Sequence, residues 1–139
     1  MNIDQIQDSI IEEFELFEQW FDKYEYLIDL GKNLPVIDDA YKTDDNLIRG
    51  CQSRVWLHAE MNDGTVQFTA DSDAVITRGI IALLIRVLAG QKPGDIANAQ
   101  LYFIDAIGLR EHLSSTRANG LVSMVNTLQS IGRDFSRAH

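Results

Sequence analysis

The spacing of hydrophobic positions changes period along the chain, and each period predicts a different element. Ile3, Ile6, Ile10, Phe14, Phe17, Phe21, Tyr24 and Ile28 recur at three- and four-residue steps. That spacing lays them along one stripe of a helix. Asp8, Glu12, Glu15, Glu18, Asp22 and Glu25 fall off the stripe. The pattern fits one long helix, or two shorter ones with a break near Gln19 to Asp22. Gly31 and Pro35 end it, the glycine as a candidate C-terminal cap. The stretch "PVIDDAYKTDDN" that follows has no period and reads as a loop.

From Arg54 to Met61 the period becomes two. Val55, Leu57, Ala59 and Met61 alternate with Arg54, Trp56, His58 and Glu60, the pattern of a strand with one buried face. "NDG" at Asn62 to Gly64 predicts a hairpin, with a three-residue loop and a left-handed glycine. The return strand runs from Thr65 to Ala70 with Val66 and Phe68 inward. Helical spacing then resumes. Asp71 or Ser72 is the candidate cap of a helix from Ala74 to Leu88, and Asp73 complements its dipole. This segment is apolar nearly all round, so it is the expected central buried helix. Gly79 within it weakens the helix by about 1 kcal/mol relative to alanine, so a close neighbour is expected to need the space.

Gly90 ends that helix, and Pro93 starts a short one in "PGDIANA". "LYFIDAIGL" reads as another, closed by Gly108. The last helix starts near Ser114 and carries the stripe Leu121, Val125, Leu128, Ile131 and Phe135. The fold class is α+β: one compact domain over residues 1–139, with helices packed around a small antiparallel sheet. A chain of 139 residues is the right size for one core.

Charge narrows the function classes. The net charge of −9 is uneven: residues 1–45 carry 13 acidic and 3 basic side chains, and residues 46–139 carry 8 and 9. The acidic excess reads as a solvated helical face. Nucleic acid is not an expected partner, because phosphate binding needs a basic footprint. No apolar run is long enough to span a bilayer, so no membrane association is expected. The acidic N-terminus resembles neither a signal nor a transit peptide. A single cysteine cannot form an internal disulfide, which fits a reducing compartment, with cytoplasm the expected location.

Candidate chemistry is sparse. Cys51, His58, His112 and His139 show no metal-ligand spacing, and no metal is expected. His58 reads as a surface residue of a strand. There is no glycine-rich phosphate loop and no GxSxG elbow. Cys51 stands out because it precedes a strand and follows Gly50, with Gln52 and Ser53 as polar neighbours able to hydrogen bond. Two readings stay open on pattern alone: a small buried hydrophobe, or a reactive thiol. Arg117 lies in the first turn of the last helix, where a cation opposes the dipole. It is explained either by an internal salt bridge to a nearby aspartate or by an anion or partner. Arg78 also lies near a helix start, where Asp71 and Asp73 can offset it.

Together, "RGCQSRVW", "DSDAVITRG" and "LGLREHL" leading into "STRANGL" closely resemble the SufE family of sulfur-acceptor proteins of iron–sulfur cluster assembly. The upstream "WFDKYEYLIDLGKNLP" resembles that family's N-terminal helical segment, and the resemblance runs from about Phe14 to Ile131. It implies a compact α+β domain that binds no cofactor of its own and partners a PLP-dependent cysteine desulfurase (SufS-like). The desulfurase takes sulfur from L-cysteine and holds it as a persulfide. The family's acceptor cysteine maps onto Cys51, with Gly50, Gln52 and Ser53 as its supporting loop. The persulfide then passes to an Fe–S scaffold complex downstream. Asp73, Arg78 and Arg117 map onto partner-interface or positioning residues. The Ser-Ser-Thr before Arg117 departs from the Ser-Pro that often stands there, a change expected to alter only local stiffness. Gly50 and the apolar strand after Cys51 lead to the expectation of a flexible tip that tucks its sulfur into an apolar pocket. Two other classes remain: a non-catalytic adaptor with a structural Cys51, and a free-standing cysteine hydrolase with His112 as base.

Overall fold

The computed structural model describes residues 1–138. His139, one of the three histidines, lies outside the described residues. Helix α1 spans Ile3–Glu15 and starts from a reciprocal cap. The Gln5 N–H donates to Asn2 Oδ1 at 2.8 Å, and the Asn2 N–H donates to Gln5 Oε1 at 3.0 Å. Helix α2 spans Trp20–Lys32, so the N-terminal pattern makes two helices, broken just ahead of the expected place. The break resets the helical phase, and the stripe does not carry across it. Phe21 is 68% exposed, whereas Leu27 and Gly31 are buried.

Gly31 is not a C-terminal cap. It lies inside α2 against helix α3 (Val75–Leu88). A Cβ on Gly31 would meet the Gly79 nitrogen at 3.0 Å, and one on Gly79 would meet the Leu27 carbonyl oxygen at 2.3 Å. The two glycines let α2 and α3 pack backbone to backbone, which is the space Gly79 was expected to provide. A Glu13–Arg86 ion pair, with Tyr26 donating to the same carboxylate, ties α1, α2 and α3 together.

The loop after α2 is more ordered than its lack of period implies. It contains 3-10 turns at Asp39–Tyr41 and Asp44–Asn46. Isolated bridges join Val36 to Ala70 and Leu47 to Trp56. Strands β1 (Val55–Asn62) and β2 (Thr65–Ser72) form a two-stranded antiparallel sheet, paired from Val55↔Ser72 to Asn62↔Thr65. The connection is a two-residue turn rather than the expected three. Asp63 (φ 53°) and Gly64 (φ 81°) both have positive φ, which matches the twist of a tight hairpin. β2 runs two residues past the expected end, so Asp71 and Ser72 are strand residues and do not cap α3 from its Ncap position. That position is Ala74, whose N–H donates to Ser72 Oγ at 3.3 Å.

Helix α3 is the central buried element: Ile80, Ile81, Leu83, Leu84, Ile85, Val87 and Leu88 are all at most 2% exposed. Short helices α4 (Pro93–Asn98) and α5 (Phe103–Ala106) follow, and Gly108 closes the second with φ 72°. Buried Gln7 accepts from the Phe103 N–H at 3.1 Å and donates to the Gln100 carbonyl at 3.0 Å, which fixes this segment on α1. Helix α6 (Ser115–Ala138) packs on α4, where Gly132 allows contact with Ile96. Its buried face is Gly120, Leu121, Met124, Leu128 and Gly132, and the expected Val125, Ile131 and Phe135 sit partly buried at its edge. No described helix is long and apolar enough to cross a membrane.

Candidate functional site

The segment from Ile48 to Val55 is a loop with a pinned stem. The Ile48 N–H donates to the Val55 carbonyl at 2.8 Å. Asp73 holds the same stem from outside. Its carboxylate accepts from the Arg54 N–H at 3.0 Å, and its own N–H donates to the Arg54 carbonyl at 3.3 Å. Two backbone anchors therefore fix the base, and Cys51 projects from the tip.

Gly50 turns the tip with φ 92°, a conformation that a side chain resists. A Cβ there would also lie 2.3 Å from Ser123 Oγ, so the loop leans directly on α6. The Cys51 thiol donates to the Gly120 carbonyl at 3.6 Å. Gly120 has no side chain to separate the two: a Cβ on it would touch the sulfur at 3.5 Å. Cys51 is half-buried, and burial pushes its thiol above the ordinary value of 9.0. Burial thus favours the protonated thiol over the nucleophilic thiolate.

Cys51 faces a cavity of about 330 Å³. Gln52 and Ser53 line it from the loop, Thr77 and Ile80 from α3, and Ser114, Thr116, Arg117 and Met124 from α6 and the residues just before it. The pocket is not the apolar one expected. Ile80 and Met124 supply apolar wall, but the remaining lining is mostly hydroxyls and one guanidinium. Among the described residues, no hydrogen bond joins Gln52 or Ser53 to the thiol; the bond recorded for the sulfur goes to Gly120.

The charged candidates divide. Arg117 lines the cavity, and no salt bridge involves it among the described residues, so the internal-pair explanation does not hold. Arg78 does not pair with Asp73. Its Nε and Nη2 donate to Asp71 Oδ1 at 3.1 and 2.7 Å. Lys42 donates to Asp71 Oδ2 at 2.8 Å while sitting over the Trp56 ring. Burial works to raise the Asp71 carboxyl. The hydrogen bonds from Lys42, the Ser72 N–H and Arg78 outweigh it, and the carboxyl lies below 3.8.

His112 is not a base for Cys51. It does not line the cavity: its ring stacks on Trp20 at 3.9 Å, and Nδ1 lies 2.9 Å from the Gly108 carbonyl oxygen. His58 stacks on Tyr41 and pairs with Glu60 at 2.8 Å. Among the described residues, no group of three or more His, Cys, Asp or Glu is placed to hold a metal ion.

Thr77, Ser114, Thr116, Gly120 and Met124 line the site but were not among the candidate site residues of the sequence. Gly120 carried a signal, since a glycine inside a long helix marks close approach. Met124 extends the helical spacing from Leu121. Thr77 carried none, because it sits in an apolar run as one more β-branched residue.

A lone thiol on a pinned loop, held against a helix and facing a polar cavity, is the arrangement of a small thiol-bearing α+β domain. The family model SufE, described as Fe-S metabolism associated domain, matches residues 8–131, and the chain belongs to that family. It is similar to an uncharacterised SufE-like protein of Rhizobium meliloti (strain 1021), at 41% identity over 128 residues, 88% of this chain and 91% of that protein. It is also similar to SufE-like protein 1, chloroplastic/mitochondrial, of Arabidopsis thaliana. That match has 37% identity and covers 87% of this chain but only 33% of the plant protein. The fold is shared with the solution structure of a hypothetical protein from Thermus thermophilus. The TM-score is 0.76 at 20% identity, over 93% of this chain and 94% of that one.

Proposed function

We propose that this protein accepts sulfur from a PLP-dependent cysteine desulfurase onto Cys51, stimulates that enzyme and relays the sulfur toward Fe–S cluster assembly. The observation that carries the reading is the placement of the one thiol: a loop tip, half-buried against Gly120, facing a cavity. A chain with one cysteine lacks the set of thiolates that usually holds a cluster, so its link to Fe–S metabolism is better met upstream, at sulfur supply.

In the step itself, the Cys51 thiolate attacks the outer sulfur of the desulfurase's cysteine persulfide. The donor S–S bond breaks, its inner sulfur leaves as a thiolate, and a new S–S bond forms on Cys51. No electrons are gained or lost overall. The PLP stays on the partner. The raised pKa of the buried thiol implies that the tip leaves the cavity, or is otherwise activated, when the partner engages. Asp73 positions the stem of that tip through Arg54. Arg117, free of any carboxylate among the described residues, is offered to the partner beside the thiol. Arg78 acts at one remove, by holding Asp71 at the end of β2. The single free thiol fits a reducing compartment, and we take it to be the cytoplasm.

The test is Cys51→Ser with the cognate desulfurase and L-cysteine. Stimulation of alanine release is expected to disappear. Undiminished stimulation would leave the protein an adaptor with a structural cysteine.

A further inference from the structure

Thr77 is 5% exposed, yet its hydroxyl makes no hydrogen bond among the described residues. Thr127, well inside α6, bonds its hydroxyl to the Ser123 carbonyl four residues back at 2.8 Å. For Thr77, in the first turn of α3, the residue four back is Asp73, which precedes the helix, and no such bond forms. Nor is its hydroxyl sealed in the core, for among the described residues no fully enclosed side-chain oxygen or nitrogen lacks a partner. Thr77 lines the cavity that Cys51 faces. Its hydroxyl is therefore a donor in the cavity wall that no protein group among the described residues uses.

Persulfidation of Cys51 supplies an acceptor for it. The thiol proton that now reaches the Gly120 carbonyl is absent from the inner sulfur of a persulfide, so that bond is lost. The outer sulfur extends about 2 Å further, one S–S bond length. A persulfide is a stronger acid than the thiol it is built on, so this outer sulfur is anionic near neutral pH. A carbonyl oxygen repels it, and a half-buried anion needs donors. The cavity offers them, with Thr77 the most buried. We infer that the Thr77 hydroxyl donates to the outer sulfur of the Cys51 persulfide and holds it in the cavity between transfers. The inference rests on the sulfur-acceptor reading.

The test loads Cys51 chemically, so that it does not depend on a desulfurase. The Cys51 thiolate attacks a sulfur of an inorganic polysulfide, a shorter polysulfide leaves, and the persulfide forms. The rate at which a small electrophile alkylates the outer sulfur is then followed against pH, with the product identified by mass spectrometry. Among the described residues, Arg117 is the one charged side chain lining the cavity besides the Cys51 persulfide, and every variant retains it. Thr77→Val is expected to raise the midpoint by about one pH unit, the tenfold effect of losing a hydrogen bond to a charge. Thr77→Ser, which keeps the hydroxyl, is expected to stay near wild type. In the thiol form Thr77→Val should melt no lower than wild type, because the hydroxyl has no partner to lose. An unchanged midpoint in Thr77→Val, a Thr77→Ser profile matching Thr77→Val, or a wild-type protein that retains no sulfur on Cys51 would each overturn the inference. A midpoint shift without any stimulation of a desulfurase would instead uphold Thr77 and remove the desulfurase partnership.

Discussion

Gly50→Ala separates backbone strain from packing at the thiol loop. Residue 50 has φ 92°, and an added Cβ would sit 2.3 Å from Ser123 Oγ and 3.2 Å from Ser123 Cβ. Holding a non-glycine residue in such a conformation costs about 1–3 kcal/mol. The hydroxyl contact is cheaper to relieve, because Ser123 Oγ is the free end of a side chain; pushing it off its rotamer costs about 0.5–1.5 kcal/mol. The sum predicts a loss of about 1.5–4.5 kcal/mol, unless the loop abandons its native path and exposes the thiol. Either way, Cys51 should react faster with a small alkylating agent than in wild type. Adding Ser123→Ala removes the 2.3 Å contact and leaves the positive φ. It should therefore recover about 0.5–1.5 kcal/mol, with the remainder persisting as backbone strain. Urea denaturation and alkylation kinetics on the four proteins of the cycle measure both effects. Full rescue by Ser123→Ala, or a Gly50→Ala protein with wild-type stability and alkylation rate, would refute the reasoning.

Three other expectations follow from the same structure. Gly79→Ala adds a methyl group 2.3 Å from the Leu27 backbone oxygen. Against rigid backbone the overpacking falls at the upper end of its usual range, about 3 kcal/mol, and helix propensity returns about 1 kcal/mol, so a net loss of about 2 kcal/mol is expected by denaturation, and a neutral result would contradict the α2–α3 contact. The alkylation rate of native Cys51 should rise with a midpoint above pH 9.0, falling toward that value in denaturant, because burial raises the native thiol. Its folded value being raised, the stability linked to it is fully present below pH 9.0 and is lost as pH climbs through the native value. Asp71 and Glu13 behave oppositely. For Glu13 the Arg86 hydrogen bond leads, burial opposes it, and the carboxyl lies below 4.5. Both contribute stability above their ordinary values of 3.8 and 4.5, lost as pH falls through the native ones. Asp71→Asn should cost about 1–3 kcal/mol at neutral pH and flatten the acid limb of the stability profile.

The elements were legible wherever one period ran uninterrupted: α3 and both strands lie within two residues of their expected bounds, and α6 begins one residue after its expected start. Errors came where tertiary contact overrode local sequence. Gly31 looked like a cap because glycine usually ends helices, and only the approach of Gly79 gives it another reason to be there. Asp71 looked like a cap because an acidic residue before a helix usually is one, but Lys42 and Arg78 claim its carboxylate. In the site, Cys51 and Gly50 were visible as a turn before a strand. Its far wall was not, since Thr77, Gly120 and Met124 line the cavity only through the packing of α3 and α6 beside the loop. The pairing of Arg78 with Asp71 rather than Asp73 likewise depends on β2 continuing to Ser72.

The central claim is that Cys51 carries sulfur, and intact-protein and peptide mass spectrometry tests it most directly. After incubation with a cysteine desulfurase and L-cysteine, the account predicts one added sulfur atom, located on the peptide containing Cys51, absent when L-cysteine is withheld and absent from Cys51→Ser. A protein that binds the desulfurase yet gains no sulfur on Cys51 would contradict it.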